Sequence, residues 1–359
     1  MREKSRLKSI VISTILAAMV LSSVMSNQAL GVNYKAIDLT PSGFTVSGAY
    51  GASNGQQVGY GEGHAMIWNG SAESYVDLHP SGALWSEAHG TDGTQQVGTV
   101  WGLPAPLSAA LWSGSAASFV SLHPGGFDWT EAYGVSNMQQ VGYGIPRASG
   151  SAQALLWNGS AESYINLNPS GFEESRAYGT NGTQQVGWGI INYSFHALLW
   201  NGSADSFIDL NPTGCEFSMA YGISGAQQVG SSDGHASLWS GSAASCIDLN
   251  PSVFEESEAL GTNGMQQVGY GDSLATGYQN HALLWNGSAE SCIDLSQFLP
   301  IEFISSRANA IDEYGNIVGC AYDSQSRSHA ILWEPVPEPA SAVLMGLGCL
   351  FAGLRKRRR

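Results

Sequence analysis

The chain repeats one sequence unit seven times, and this repetition restricts its fold more than any other feature. The units align on seven tryptophans that lie 39 to 48 residues apart: Trp68, Trp112, Trp157, Trp200, Trp239, Trp285 and Trp333. A chain with such a period folds as copies of one supersecondary unit, which bury a core by packing against their neighbours. We therefore interpret the seven tryptophans as structural positions.

Each unit has the pattern of four short β-strands. In "HALLW" (281–285), His281, Leu283 and Trp285 alternate with Ala282 and Leu284, so both faces of the strand carry apolar residues. In the first six units, Asn-Gly-Ser or Ser-Gly-Ser follows the tryptophan, which suits a hairpin connection. Glycine recurs every few positions and excludes the long helices of α-helical repeats.

The order of the segments predicts an all-β fold, a seven-bladed β-propeller over residues 32–334. The repeats begin with "YKAIDL" (34–39), the last strand of a unit, and end with "HAILW" (329–333), the strand before it. The two fragments complete one unit, so we expect the N-terminal strand to close the propeller and hide its sheet edges. A β-solenoid of the same repeats is the alternative, although it would need separate capping repeats.

The units also resemble the HAF repeat, a short repeat family of extracellular proteins named after a His-Ala-Phe triplet. The triplet stands here as "HAM", "HAL", "HAS", "HAL" and "HAI". The resemblance implies an exported repeat protein and brings no catalytic residues with it.

Basic residues are concentrated at the two ends of the chain. Of 14 lysines and arginines, nine lie within residues 2–8 and 355–359, while the formal net charge is −15. The repeats are therefore strongly acidic. This excludes nucleic acid as a partner, because phosphate binding needs a basic surface.

Residues 1–31 have the layout of a secretory signal peptide. A basic start precedes an apolar run from Ile10 to Val24, and the small residues Ala29 and Gly31 end the segment. Such a segment directs export through the translocon and is then removed, here after Gly31. A retained membrane anchor is the alternative, but the apolar run is short for a membrane span.

Residues 335–359 combine Val336-Pro337-Glu338-Pro339, an apolar stretch from 342 to 354, and the basic end Arg355-Lys356-Arg357-Arg358-Arg359. A short transmembrane segment with this charge keeps its basic end in the cytoplasm. Together the three features resemble the PEP-CTERM sorting signal of Gram-negative, exopolysaccharide-producing bacteria. The resemblance implies transient inner-membrane anchoring, processing by an exosortase-type membrane protease near Pro337-Glu338-Pro339, and a final place in the cell envelope, on the outer surface or outside the cell. A simple tail anchor is the alternative.

The histidines of the repeat occupy a position that tolerates exchange. Five units have histidine four residues before the tryptophan and two have serine or glutamine: His64, Ser108, Gln153, His196, His235, His281 and His329. Serine and glutamine are not substitutes for a zinc ligand, so we predict a structural hydrogen-bonding role and neither a metal site nor a cofactor. The aspartate of the next strand, Asp294 in the sixth unit, also exchanges with asparagine and serine; calcium stays open as an alternative.

Four cysteines of the repeats, Cys215, Cys246, Cys292 and Cys320, stand where other units have aromatic residues. This pattern predicts buried apolar side chains. Disulfides are common in exported proteins, so the oxidation state of the four stays open.

No catalytic motif interrupts the repeat, and we therefore predict a protein that is not an enzyme. The least repetitive stretches are 101–108, 144–153, 189–195 and 271–280, all between the second and third strands of a unit. Variable loops on a rigid scaffold carry recognition, so we expect a binding face there. The predicted function is binding or structuring of the exopolysaccharide matrix of a biofilm. A protein-interaction platform in the envelope and a glycan-active enzyme, with carboxylates such as Glu173 and Glu255, are the alternatives.

Overall fold

The computed structural model describes residues 33–103 and 105–336. The predicted signal peptide (1–31) and residues 337–359 of the predicted sorting signal lie outside the described residues. No helix in the described part of the chain is long and apolar enough to cross a membrane. All seven repeats fall within one structural unit, Tyr34–Glu334.

The fold is all-β, as predicted, and each repeat supplies four strands. The first strands are β2 (Ser47–Ser53), β6 (Trp85–Thr91), β10 (Phe127–Ser136), β14 (Glu174–Thr180), β18 (Ser218–Ser224), β22 (Glu256–Thr262) and β26 (Phe303–Ile311). The second strands are β3 (Gln56–Gly61), β7 (Gln96–Trp101), β11 (Gln139–Pro146), β15 (Gln185–Ile191), β19 (Gln227–Ser232), β23 (Gln267–Asp272) and β27 (Ile317–Asp323). The third strands are β4 (His64–Trp68), β8 (Leu107–Trp112), β12 (Gln153–Trp157), β16 (Ser194–Trp200), β20 (His235–Trp239), β24 (His281–Trp285) and β28 (Ser328–Val336).

The fourth strands are short, except for the first strand of the chain. They are β5 (Val76–Asp77), β9 (Val120–Ser121), β13 (Ile165–Asn166), β17 (Ile208–Asp209), β21 (Ile247–Asp248), β25 (Ile293–Asp294) and β1 (Asn33–Asp38). Short 3-10 helices connect strands at Ala72–Ser74, Ala116–Ser118, Ala161–Ser163, Ala204–Ser206, Ala243–Ser245, Leu274–Thr276, Ala289–Ser291 and Leu295–Phe298. Neighbouring strands of a unit pair antiparallel, in the order first, second, third, fourth.

The N-terminal strand β1 completes the last unit, because it lies beside β28 in the sheet β1-β28-β27-β26. The second and third units are joined into one larger sheet by a parallel bridge between Trp129 of β10 and Leu107 of β8. The other units form separate four-stranded antiparallel sheets.

The apolar core lies between successive units. Trp112 of the second unit packs in one cluster with Ile67 and Leu78 of the first. Trp68 of the first unit packs with Val318 and Leu332 of the last. All seven repeat tryptophans are fully buried. A single unit has no complete core, which is the physical reason why a repeat of this kind must be copied.

A buried hydroxyl joins each unit to the next. The backbone N–H of Ala65 in β4 donates to the Oγ of Ser86 in β6 at 2.9 Å, and Ala330 in β28 donates to the Oγ of Ser47 in β2 at 2.8 Å. The five other junctions have the same bond: Ala109–Thr130, Ala154–Ser175, Ala197–Ser218, Ala236–Ser257 and Ala282–Ser306. Each bond satisfies a backbone donor that lies away from water.

The connection after the repeat tryptophan is longer than the two-residue hairpin that Asn-Gly suggests. Gly70 adopts a positive φ of 83°, and a 3-10 helix follows before β5. The buried Gln57 holds this turn, since its Oε1 accepts from the N–H of Gly70 at 2.8 Å. We call this bond the glutamine clamp. The last unit has Ile317 in place of this glutamine and Glu334 in place of the turn's first residue, so it lacks both the clamp and the glycine turn.

Candidate binding face

We call the loop face the end of each unit at which the first strand begins and the second strand turns into the third. Successive units present this end side by side. The N–H of Ser86 donates to the carbonyl of Gly63 in the preceding loop at 2.9 Å, and Ser257 and Ser306 make the equivalent bonds to Gly234 and Asn280. The irregular loops expected to carry recognition all lie at this end of their units.

The loop face displays large aromatic side chains to solvent. The exposed fraction of the residue surface lies between 39% and 94% at Trp101, Trp129, Tyr193, Phe217 and Tyr278. Tyr193 and Tyr278 both adopt a positive φ, 64° and 57°, which is rare for residues of this size. These exposed rings on variable loops make this end of the units the candidate binding face.

Inside the strands, one cross-strand pair per unit changes its chemistry from repeat to repeat. The first and second strands pair at Gly48–Tyr60, Glu87–Thr99, Glu131–Tyr143, Arg176–Trp188, Met219–Ser231, Glu258–Tyr270 and Arg307–Cys320. The positions beside them hardly vary. A Cβ on Gly142 would lie 1.9 Å from the carbonyl oxygen of Glu131, which explains why this position is glycine in every unit.

In five of the first strands, the residue two positions after the member of this pair has an aromatic side chain, and these side chains form a row. Tyr50 and His89 have ring centroids 5.8 Å apart, His89 and Tyr133 4.7 Å, Tyr133 and Tyr178 4.9 Å, and Tyr178 and Tyr221 5.7 Å. The row runs across five successive units and is half-buried.

Charged groups surround this row in the second, third and fourth units, and we call the whole the inner cluster: Glu87, His89, Glu131, Tyr133, Tyr143, Arg176, Tyr178 and Trp188. Glu131 accepts hydrogen bonds from the hydroxyls of Tyr133, at 2.7 Å, and Tyr143. The guanidinium of Arg176 lies 4.3 Å from the ring centre of Tyr143 and 5.1 Å from that of Trp188. Burial, and after it the charge of Glu131, raises the pKa of the Tyr133 hydroxyl, which therefore remains a proton donor.

The first strands of all seven units also line two adjoining cavities, of about 330 and 200 Å³. The smaller cavity touches Tyr50 and His89 of the aromatic row. The inner cluster was not predicted from the sequence, because its residues lie within regular strands. The aligned repeats do contain a signal for it, because these strand positions vary in charge whereas the neighbouring positions remain Ala and Gly.

The repeat histidines pair with the aspartates of the fourth strands. His281 Nδ1 lies 2.7 Å from Asp294 Oδ2, and the pairs His64–Asp77, His196–Asp209, His235–Asp248 and His329–Asp38 have the same arrangement. Where glutamine replaces the histidine, asparagine replaces the aspartate: Asn166 donates to Gln153 at 2.7 Å. In six of the seven units the two positions thus form a hydrogen-bonded pair.

Within the described residues, no group of three or more His, Cys, Asp or Glu side chains is arranged to hold a metal ion. Cys215, Cys246, Cys292 and Cys320 are free thiols there; Cys320 is buried and the other three are partly exposed. The expectation of buried apolar side chains therefore fits Cys320 best.

The C-terminal segment matches a family model over residues 335–359, the PEP-CTERM protein-sorting motif. Residues 335–359 are a sorting signal. The predicted motif is thereby confirmed. A PEP-CTERM signal implies export, transient anchoring in the membrane by the C-terminal segment, and processing by exosortase, a membrane protein. It covers a small part of the chain and does not describe the repeats. No curated protein matches the chain.

Solved structures with a similar fold include puromycin hydrolase, at 11% identity and a TM-score of 0.55, and the acylaminoacyl peptidase of Pyrococcus horikoshii, at 11% and 0.54. The matches cover 83% and 87% of this chain, and 55% and 56% of those proteins, so the chain spans about half of their length. The β-propeller domain of the Trilobed protease from Pyrococcus furiosus is also similar, at 8% identity and a TM-score of 0.45, over 81% of this chain and 85% of that one. At such identities the likeness concerns the fold alone.

Proposed function

We propose that the chain is an exported, non-catalytic protein that binds extracellular polysaccharide through its loop face. Its repeats are HAF-type, its host is a Gram-negative producer of exopolysaccharide, and exosortase processes it after export. The observation that carries the binding proposal is the set of exposed aromatic rings at Trp101, Trp129, Tyr193, Phe217 and Tyr278. Rigid rings on a fixed scaffold offer flat apolar surfaces at low entropic cost.

The scaffold in this proposal is a closed seven-bladed β-propeller, completed by β1. The seven equivalent Ser or Thr junctions support it, since the bond from Ala330 to Ser47 joins the last unit to the first. The cavities lined by all seven first strands support a central channel as well. Closure leaves no sheet edge to pair with another chain.

The acidity of the repeats restricts the ligand. With a net charge of −15, and with most basic residues outside the repeats, the surface repels polyanions at low ionic strength. The polysaccharide is therefore neutral or carries amino sugars, and is not a polyuronate.

The experiment is retention of the full chain on immobilised neutral glucan, glucosamine polymer and polyuronate. Trp101→Ala and Tyr278→Ala should each weaken binding about tenfold, a loss of ~1.4 kcal/mol. The matched controls are Met138→Ala and Met265→Ala, which are about as exposed but lie in the turns between first and second strands. Equal binding by all four variants, or retention of envelope proteins and no polysaccharide, contradicts the proposal; the latter favours a protein-interaction platform.

A glycan-active enzyme is the second candidate, and the inner cluster favours it. Glu131 and Glu87 are carboxylates with tyrosine and histidine neighbours, which are groups that donate and accept protons during glycoside cleavage. Release of reducing ends from any of the three polysaccharides, abolished by Glu131→Gln, would replace the non-catalytic proposal.

A further inference from the structure

An aromatic pair in three units is replaced by two cysteines in the fifth. In these three units, the residue that ends the turn before the first strand contacts the residue that precedes the fourth strand. The ring centroids are 5.8 Å apart for Phe44–Tyr75 and 5.5 Å apart for both Phe127–Tyr164 and Phe172–Phe207. The equivalent residues of the fifth unit are Cys215 and Cys246.

The residues around the two cysteines also differ from their equivalents in the fourth unit. In the fourth unit, a Cβ on Gly189 would lie 2.6 Å from the ring of Phe172 and 2.8 Å from Leu198, so only glycine fits beside that ring. The fifth unit has Ser232 in place of the glycine and Ser237 in place of the leucine. Both serines are buried, which the loss of the phenylalanine and leucine side chains makes room for. Four positions around this contact therefore carry small side chains in the fifth unit.

The rebuilt contact is polar. The hydroxyls of the buried Ser237 and Ser232 lie beside the Cys246 thiol and lower its pKa against the larger effect of burial, and Ser237 also donates to the carbonyl of His235 at 3.0 Å. Cys215 and Cys246 are free thiols and partly exposed, so a reagent can reach them. Burial raises the pKa of both thiols, and the nearby charges of Asp233 and Cys246 raise that of Cys215 further.

We propose that Cys215 and Cys246 form a disulfide bond after export, which replaces the aromatic contact of the other units. The oxidant is a thiol–disulfide exchange protein outside the cytoplasm, carrying its own disulfide. One cysteine thiolate attacks that disulfide, forms a mixed disulfide and releases one thiolate of the oxidant. The second cysteine thiolate attacks the sulfur of the first, releases the other oxidant thiolate, and completes the Cys215–Cys246 bond. The two cysteines lose two protons and two electrons, and the oxidant's disulfide is reduced to a dithiol.

This bond rests on export, which the sorting motif implies, and is independent of polysaccharide binding. Cys292 provides a natural control, because it occupies the position equivalent to Cys246 while its partner position keeps Phe254. Cys292 should therefore remain a thiol in the same molecule.

The test is peptide mapping of the full chain, recovered from outside the cytoplasm and alkylated under denaturing, non-reducing conditions. We expect one cross-linked peptide pair that contains Cys215 and Cys246, lighter by two hydrogen atoms than the separate peptides, with Cys292 and Cys320 alkylated. Alkylation of Cys215 and Cys246 to the same extent as Cys292 overturns the proposal, as does a cross-link to Cys292.

A stability measurement gives a second, independent readout. Reduction should lower the midpoint of thermal unfolding by about 5–10 °C in the exported protein. Cys292→Ala should keep this shift, and the double variant Cys215→Ala/Cys246→Ala should show none. A shift of equal size in the double variant overturns the proposal too.

Discussion

The backbone N–H of Ala330 donates a 2.8 Å hydrogen bond to the Oγ of Ser47, a residue 283 positions earlier in the chain. Ser86 makes the same bond to Ala65 between the first two units. Both hydroxyls are fully buried. The contact between the ends of the repeat array is thus built like the contacts inside it.

Ser47→Ala and Ser86→Ala should each lower the free energy of unfolding by about 1–3 kcal/mol, because each leaves a buried N–H without an acceptor. Urea unfolding followed by tryptophan fluorescence measures both. If Ser47→Ala were neutral while Ser86→Ala destabilised, the last and first units would not pack together in solution, and an open array would be the better description.

The glutamine clamp should be needed only where its glycine turn exists. Gln267 is fully buried and accepts from Gly287 at 2.8 Å, so Gln267→Leu should cost about 1–3 kcal/mol of unfolding free energy. The converse change, Ile317→Gln, should also destabilise by a similar ~1–3 kcal/mol, since the last unit offers the buried amide no turn to bind. A stabilising Ile317→Gln would show that the turn is not the reason for the glutamine.

Two turn histidines should make the protein less stable in mild acid. Burial lowers the pKa of His79, with a further contribution from His64, whose ring stacks on it at 4.0 Å; the hydrogen bond to the Ala83 carbonyl and, after it, the charge of Asp77 oppose this shift. Burial likewise lowers the pKa of His123; the hydrogen bond to the Phe127 carbonyl opposes this shift, and the charge of Arg147 adds to it. Between the unfolded pKa near 6.5 and the lower folded values, the unfolded chain binds more protons. The histidine contribution is therefore complete above about pH 6.5 and is lost as the pH falls through that range.

The double variant His79→Asn/His123→Asn should flatten this pH dependence. Three other units already use asparagine there, and Asn168 accepts from Ser175 at 2.6 Å, as His79 pairs with Ser86 at 2.9 Å. Urea unfolding at about pH 5 and pH 8 measures the difference. An unchanged slope in the double variant would place the acid sensitivity elsewhere.

Removal of residues 335–359 should change the final location of the protein and leave the repeats folded. The sorting motif lies in this segment, while the repeat core ends with Trp333. Cell fractionation with mass measurement of the tagged chain should find the full-length protein shortened near Pro337-Glu338-Pro339 and the truncated protein unprocessed and differently located. The circular dichroism spectra should match. Identical location and processing of both chains would contradict a sorting role.

The repeat and its strands could be predicted from the sequence because the information is local. The period of the tryptophans, the alternation of apolar residues and the glycine turns each lie within a few residues of the structure they specify. The pairing of β1 with the last unit was also predictable, since two sequence fragments completed one unit. The sorting signal could be read for the same reason: its three parts are contiguous.

The inner cluster and the buried polar contacts were decided by the tertiary structure. Glu131, Tyr143 and Arg176 belong to different strands or units, and their contacts depend on cross-strand register and on how one unit packs on the next. The clamp between Gln57 and Gly70 spans a whole hairpin. The sequence by itself determined a repeated all-β chain with a sorting signal. Only packing between units determined which variable side chains meet, because those contacts are distant in sequence and no local pattern encodes them.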